Sequence, residues 1–391
     1  IIRPGKMHED VLERSMELLQ DLKYADPQEQ NLEFLPHYIS ILRGEKDYCS
    51  YFLPGENRNK FIEKFHQAVD SMNNRSYALM LMHMEAEVCY ERNDLDCALN
   101  LLAKITREAK INGYDSMRMF CMVNMVDLIS SKNQLSAVDL MTLEKLNINE
   151  KELPLFVSNC RAHMVYYNLL KNEKNQIEIW MKKYAPNEEQ LFYTIQYYQC
   201  LIKAKVYIWR EQYVRARMLL QILLEFAIEY KMAYLEAQVR ILTAVVYYRE
   251  ENEQWKETLL PALEWAKSLE FIRIFADEGV AVYELLNRMV QEDKNWAKDE
   301  WMKKLVYASK AHMLQYPKYL KQEKKGDVEE FSESEQAVMR LLVLGGKNAE
   351  IASTLCVSEN TVKYHLKNIY QKLQVKSRAQ AISKIREYEL L

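Results

Sequence analysis

Glycine and proline are scarce in this chain, eight of each in 391 residues. Hairpins and sheets consume both at their turns, so the scarcity argues against strands and for long helices joined by short loops. Cysteine offers no framework. Cys49, Cys89, Cys97, Cys121, Cys160, Cys200 and Cys356 are odd in number, form no Cys-x-x-Cys pair and lie mostly in apolar helical runs. That usage fits buried free thiols in a reducing cytoplasm, not disulfides or a zinc site. No stretch approaches eighteen uncharged apolar residues, so neither a spanning helix nor a membrane partner is expected, and no signal peptide is visible. The patterns GxxxxGK[ST], HExxH and GxSxG are missing, as is any clustered His/Cys/carboxylate set. Strands do not alternate with helices as in a phosphorylatable receiver domain. The residues therefore suggest no enzyme, no cofactor and no metal.

What is abundant points one way. Hydrophobic residues make up 49% of the chain, enough for a large core, and Leu, Glu, Lys, Met, Gln and Ala, all good helix formers, recur throughout. The expected fold class is all-α. The net charge of -3 is unevenly spread: residues 331–391 hold nine Lys/Arg against six Asp/Glu, a net +3 on an otherwise acidic body. Only the tail is suited to meet a polyanion.

A cue recurs along the body: a polar turn, an aromatic or Leu, then a compact residue three positions on. It reads Asn93-Asp94-Leu95 with Ala98, Asn133-Gln134-Leu135 with Val138, Glu211-Gln212-Tyr213 with Ala216, and Glu253-Gln254-Trp255 with Thr258. A blurred copy lies near Asn175-Gln176-Ile177, and Leu32 to Arg43 before Gly44 reads as an earlier, divergent unit. The period is about forty residues, that of helical hairpins that cover one another's apolar faces and stack into a superhelix. Two further helices are expected over Ala276–Met289 and Trp296–Leu314. Tyr316–Glu330 then holds four Lys and four acids with Pro317 and Gly326, which reads as a linker. The expected domains are 1–315 for the repeat array, 316–330 for the linker and 331–391 for the tail.

The tail carries its own start and stop signals. Ser332 with Glu335 forms a capping box, Gly345-Gly346 stops the first helix, and Asn348 is placed to cap a second through Ile351, Ala352 and Leu355. Cys356-Val357 make a tight turn, Ser358 caps a third helix, and Ser377 with Gln380 opens a fourth. Within the third helix Val362, Leu366, Ile369 and Leu373 fall on one face, while Lys363, Tyr364, Lys367, Asn368 and Gln371 form a polar, basic face opposite. Such a helix is long enough to lie in a major groove, where its first exposed side chains read base edges and flanking hydroxyls and cations hold phosphates. His365, between the faces, suits packing or solvent better than a metal.

Asn348-Ala349-Glu350-Ile351-Ala352, Val357-Ser358, Thr361-Val362-Lys363 and His365 through Leu373, with Val375, Arg378 and Ala381, resemble the LuxR-type (GerE-type) helix-turn-helix of transcriptional regulators over about sixty residues. The resemblance implies that Lys363, Tyr364 and Lys367 face bases and that Ser358, Thr361 and Arg378 lie near the DNA backbone. Gln374 departs from the pattern, which usually has Gly after Lys-Leu. More loosely, Glu270-Phe271-Ile272-Arg273-Ile274-Phe275-Ala276-Asp277-Glu278-Gly279, between a helical array and this tail, resembles the MalT-type large regulators. That resemblance implies tetratricopeptide-like hairpins that bind an inducer or partner protein. It also implies an ATP-binding switch; the chain opens at Ile1, and any such domain would precede it.

The expectation is thus a cytoplasmic, sequence-specific DNA-binding regulator, with activation the expected sign. Its partners would be double-stranded operator DNA, RNA polymerase, a second copy on DNA and an unidentified inducer or partner protein on the array. The DNA-contacting set is Asn348, Ser358, Thr361, Lys363, Tyr364, Lys367, Asn368, Gln371 and Arg378. The alternatives are the carboxy-terminal part of an ATP-dependent switch regulator, or a helical scaffold whose tail docks protein. Tyr197-Tyr198, Trp209, Tyr247-Tyr248 and Trp255 are tempting for stacking a ligand, but aromatics at repeat positions are mostly core, as are Met80, Met82 and Met84.

Overall fold

The computed structural model describes residues 75–132, 154–188, 196–321 and 331–387, apart from Cys356, Gln374 and Lys376. Among these residues are seventeen helices and no strand, so the all-α expectation holds. The chain divides between Gln322 and Glu323 into two compact units. The early unit at Leu32–Arg43, the cue at Asn133–Val138 and the tail end of the linker lie outside the described residues.

The first unit is built of paired helices: α1 (Arg75–Glu91) with α2 (Leu95–Asn112), then α3 (Asp115–Ser131), then α4 (Pro154–Leu170) with α5 (Lys174–Lys183). Next come α6 (Tyr197–Trp209) with α7 (Tyr213–Glu229), and α8 (Ala233–Arg249) with α9 (Trp255–Leu269). The turns explain how so few glycines suffice. Asn93, Asn172, Glu211, Lys231, Glu251 and Glu270 all take left-handed backbone conformations, with φ between 55° and 64°. The following amide of each closes back five residues, as in Gln212 N–H to Tyr207 O at 2.8 Å and Asn252 N–H to Tyr247 O at 2.9 Å. This is the helix-ending bond pattern usually built on glycine; here polar residues accept the left-handed strain, at a spacing near twenty from Glu211 onward. At the blurred copy the turn sits at Asn172, and Ile177, fully buried, takes the compact-residue position.

Ala98 and Ala216 are 1% and 0% exposed; their lack of bulk lets the paired helices approach. α6 is buried around nearly its whole circumference, whereas α7 keeps Val214, Met218 and Ile222 in solvent. The inner helices thus carry a core on every side and the outer ones on a stripe. Trp255 is core, Met80 and Met82 pack against it from partial burial, and Met84 is buried. Of the described cysteines, Cys121 and Cys200 are buried, while Cys89, Cys97 and Cys160 are half-buried rather than fully enclosed. Burial pushes the thiols of Cys89, Cys121, Cys160 and Cys200 up to about 12, so all four stay protonated at neutral pH.

Beyond the hairpins the chain turns back to its first described helix. The amide of Ile272 donates to Glu91 O at 2.6 Å, and Arg92 Nε donates to Leu269 O at 3.0 Å. The Glu91 carboxylate accepts from Tyr234 Oη at 2.7 Å and from the Ile274 amide at 3.0 Å, at the start of α10 (Arg273–Ala276). Gly279 then opens α11 (Gly279–Glu292) at φ 53°; a side chain there would start 2.9 Å from His312 Nδ1. The helix expected over Ala276–Met289 therefore starts later, at this glycine. The one expected over Trp296–Leu314 is split into α12 (Lys294–Lys298) and α13 (Glu300–Gln315), because Asp299 accepts from Met302 N–H and caps a new helix.

The linker also begins later than its composition suggests. Tyr316, Tyr319 and Leu320 are buried in the first unit, at 8%, 0% and 0% exposure. Tyr319 Oη donates to Glu278 Oε2 at 2.9 Å, Tyr316 Oη and Ser130 Oγ are hydrogen-bonded at 2.8 Å, and Arg249 donates to Leu320 O. Lys318 and Lys321 gave the stretch a solvated look, but Tyr316, Tyr319 and Leu320 around them close the body.

Ala216→Leu should destabilise the chain by about 1–3 kcal/mol, since the added methylenes have no space at a fully buried close approach. Val214→Leu, two residues away at 60% exposure, should stay within about 0.5 kcal/mol of the parent. Urea melts of both variants check this; equal shifts would contradict the close packing.

Candidate nucleic-acid interface

Among its described residues the second unit holds four helices: α14 (Glu333–Val343), α15 (Asn348–Thr354), α16 (Glu359–Lys372) and α17 (Arg378–Glu387). Each start is fixed locally. Ser332 Oγ accepts from Glu335 N–H at 3.2 Å while Glu335 Oε2 accepts from Ser332 N–H at 2.8 Å, the complete capping box. Gly345 stops α14 at φ 89°. α15 differs from expectation. Asn348 is its first residue and Lys347 its cap, where Glu350 reaches back to accept from Lys347 N–H at 2.7 Å. A lysine side chain has no lone pair to offer when charged, so only the glutamate half of the box operates. Ser358 caps α16 through Thr361 N–H at 3.1 Å, and Ser377 Oγ accepts from Gln380 N–H at 3.3 Å at the head of α17.

A separate core of Val338, Met339, Leu342, Ile351, Val362 and their neighbours holds these helices together. α16 contributes Val362, Leu366 and Ile369, with Leu373 at its end, all at most 6% exposed. Fixing that face inward turns the other outward. Lys363, Tyr364, Lys367 and Gln371 are exposed and Asn368 is half-buried; the Tyr364 ring stands 63% open, edge-on to His365 at 5.7 Å. The exposed side chains sit at positions i, i+1, i+4 and i+8, one continuous strip of donors along a helix about 21 Å long.

The other expected contact residues are placed less uniformly. Ser358 is exposed, and its hydroxyl lies 2.8 Å from that of half-buried Thr361; both hydroxyls serve the cap, at the end of α16 where its strip begins. Asn348 is half-buried at the start of α15. Arg378 is half-buried and donates to Gly346 O at 2.5 Å, tying α17 to the turn after α14. Sequence reasoning missed two contacts, Lys372 to Glu335 at 2.8 Å and Lys384 to Leu373 O at 2.9 Å, and it passed over Lys347, exposed beside Asn348. The first pair is 37 residues apart, which no local pattern signals; Lys347 was in plain view next to an expected contact.

The family described as bacterial regulatory proteins, luxR family, matches residues 329–385, and that of the MalT-like TPR region matches residues 61–292. Over 49 residues the chain is 49% identical to the CsgBAC operon transcriptional regulatory protein of Escherichia coli (strain K12), covering 12% of this chain and 23% of that one. Over 48 residues it is 50% identical to the spore germination protein GerE of Bacillus subtilis (strain 168), covering 12% and 65%. Over 132 residues it is 26% identical to the transcriptional regulatory protein DegU of Brevibacillus brevis, covering 32% and 49%. The chain spans about a quarter of the length of the csg-operon regulators it matches.

The Glu335–Lys372 pair gives the tail a testable pH response. Burial pushes the Glu335 carboxyl up, but bonds from the Lys372 ammonium and Ser332 more than offset it, so it ends below its ordinary 4.5. A carboxylate held low in the folded state stabilises above that value, and the contribution is lost as pH falls below it. In a fragment of residues 323–391, Glu335→Gln should lower the melting temperature at neutral pH and flatten its decline below pH 4.5. An acid limb unchanged by the substitution would contradict the pairing.

Proposed function

Because the chain belongs to the family with a MalT-like TPR region and carries a luxR-family domain at its carboxy-terminal end, we propose that it is a sequence-specific DNA-binding transcriptional regulator whose helical body receives a signal. The observation that carries the DNA-binding part is α16: a helix pinned by a buried apolar face and presenting Lys363, Tyr364, Lys367 and Gln371 in one exposed strip. A strip of that length and chemistry suits major-groove base edges. Asn348, Asn368, Ser358 and Thr361 are assigned to the flanks of the same contact, and Arg378 to the phosphate backbone, in addition to its bond to Gly346. The domain reads one half-site, so a second copy on DNA and contact with RNA polymerase complete the proposal, with activation as the sign. Two of the relatives, the csg-operon regulator and DegU, are named as transcriptional regulatory proteins, which supports this reading.

Gel shifts over a salt series test it. Lys363→Ala should cost about 1–3 kcal/mol of discrimination between the operator and unrelated DNA. Arg378→Ala should weaken both DNAs together and lower the salt slope by about one. It should also depress the melting temperature, since the Gly346 carbonyl loses its donor. Binding that is insensitive to salt, or equal loss of discrimination in both variants, would overturn the assignment.

A further inference from the structure

The outer helices of the hairpins give an internal control for what their solvent face needs. Ala98, Ile177, Ala216 and Thr258 hold the same place in α2, α5, α7 and α9. The positions two before, two after and six after that place form an outward ridge. On α2 the ridge is Asp96, Asn100 and Lys104; on α5 it is Asn175, Ile179 and Lys183; on α9 it is Lys256, Leu260 and Glu264. Both ends are charged or polar in all three, whatever stands in the middle. On α7 the ridge is Val214, Met218 and Ile222, exposed by 60%, 66% and 43%, and Ile228 extends the apolar surface toward the end of the helix at 52%. Consecutive large apolar side chains in water carry a free-energy cost that the sister helices avoid.

The shape and the charges of this face suit a copy of itself. Residues at i, i+4 and i+8 form the ridge that interdigitates with a like ridge where two helices cross. Arg215 is exposed in the first half of α7, and Glu225 is exposed in the second. Glu225 accepts from the neutral Gln221 amide at 2.8 Å, so its charge is left unbalanced by that bond. Arg217 is already bound to Glu250 and is not needed. A two-fold axis near residue 220 sets two α7 helices antiparallel. It lays Met218 of each chain on Ile222 of the other, and brings Arg215 of each beside Glu225 of the other. Parallel pairing would set like charges together. The antiparallel arrangement also aligns the helix dipoles favourably, and a two-fold contact between identical chains requires self-complementarity of this kind.

We propose that the outer face of α7 is a self-association surface. A second copy of this chain packs on it antiparallel through Val214, Met218 and Ile222, with Arg215 and Glu225 fixing the register. The proposal rests on the reading of two chains paired on DNA, and names the surface of the body that pairs them. Paired bodies hold two tethered tails at a raised local concentration over a two-fold operator. One helix from each chain makes a small interface, so the dissociation constant belongs in roughly the micromolar range.

Sedimentation equilibrium of the full chain without DNA, over about 1 to 100 μM, tests it. The parent should pass reversibly from monomer to dimer. Met218→Lys should weaken the dimer at least tenfold with an unchanged helical spectrum, because position 218 is solvated in the monomer. Arg215→Glu and Glu225→Arg should each weaken it about fivefold in low salt. An equimolar mixture of these two variants should recover the parent's affinity, since their heterodimer restores both opposite-charge contacts. A chain monomeric throughout leaves the face to a different partner and overturns the proposal. A dimer unmoved by Met218→Lys, or a mixture no tighter than its components, overturns it too. Gel shifts with the same variants separate the two readings. Paired occupation of the operator by a Met218→Lys chain that dimerises as well as the parent sinks only this surface. Paired occupation that persists when Met218→Lys has abolished self-association supports the surface and counts against its role on DNA.

Discussion

A charge taken out of water must be met by another charge or by hydrogen bonds, and both units are organised around that requirement. In the body, Lys205 on α6 meets Glu278, and Arg273 meets Asp277, with Tyr90 donating to Asp277 Oδ2 at 2.9 Å. These bonds join the first described helix, a central helix and the returning segment in one polar centre. In the tail, Lys372 at the end of α16 meets Glu335, which is itself half of the capping box of α14. Breaking one member of such a set leaves its partner buried and unbalanced, so the pairs specify which helices close on which. Apolar packing alone would tolerate sliding.

The same rule explains what could be read from the sequence and what could not. Helix faces and caps are local. Val362, Leu366 and Ile369 repeat at helical spacing, and Ser332, Ser358 and Ser377 sit where a cap belongs, so the four tail helices and the outward strip of α16 followed from the residues in order. The hairpin period followed too, from Asn93, Glu211 and their aromatic or Leu successors. Long-range pairing did not. Glu335 with Lys372, and Tyr319 with Glu278, are 37 and 41 residues apart, and charged neighbours made Tyr316–Lys321 resemble solvated linker. Of the aromatics tempting as ligand stackers, Tyr197 and Tyr198 line a cavity in the body, whereas Trp255 turned out to be core, because its position opens a helix against its hairpin partner.

The two units also differ in what their polar groups face. In the tail the unpaired cations Lys363 and Lys367 are exposed on one strip, where a polyanion can reach them without any internal bond being broken. In the body, Lys205 and Arg273 are buried and already matched by Glu278 and Asp277. The exposed strip of α16 is complete within its own unit, so under the proposed function a signal in the body has assembly or availability of that unit to act on, and no need to build the strip.

The central claim, that α16 reads base sequence, is tested most directly by selecting bound fragments from randomised duplex DNA with the full chain. The account predicts enrichment of an imperfect palindrome whose half-site centres lie about one helical turn, or a multiple, apart. Recovery of fragments with no common sequence, under salt conditions where binding itself persists, would contradict it.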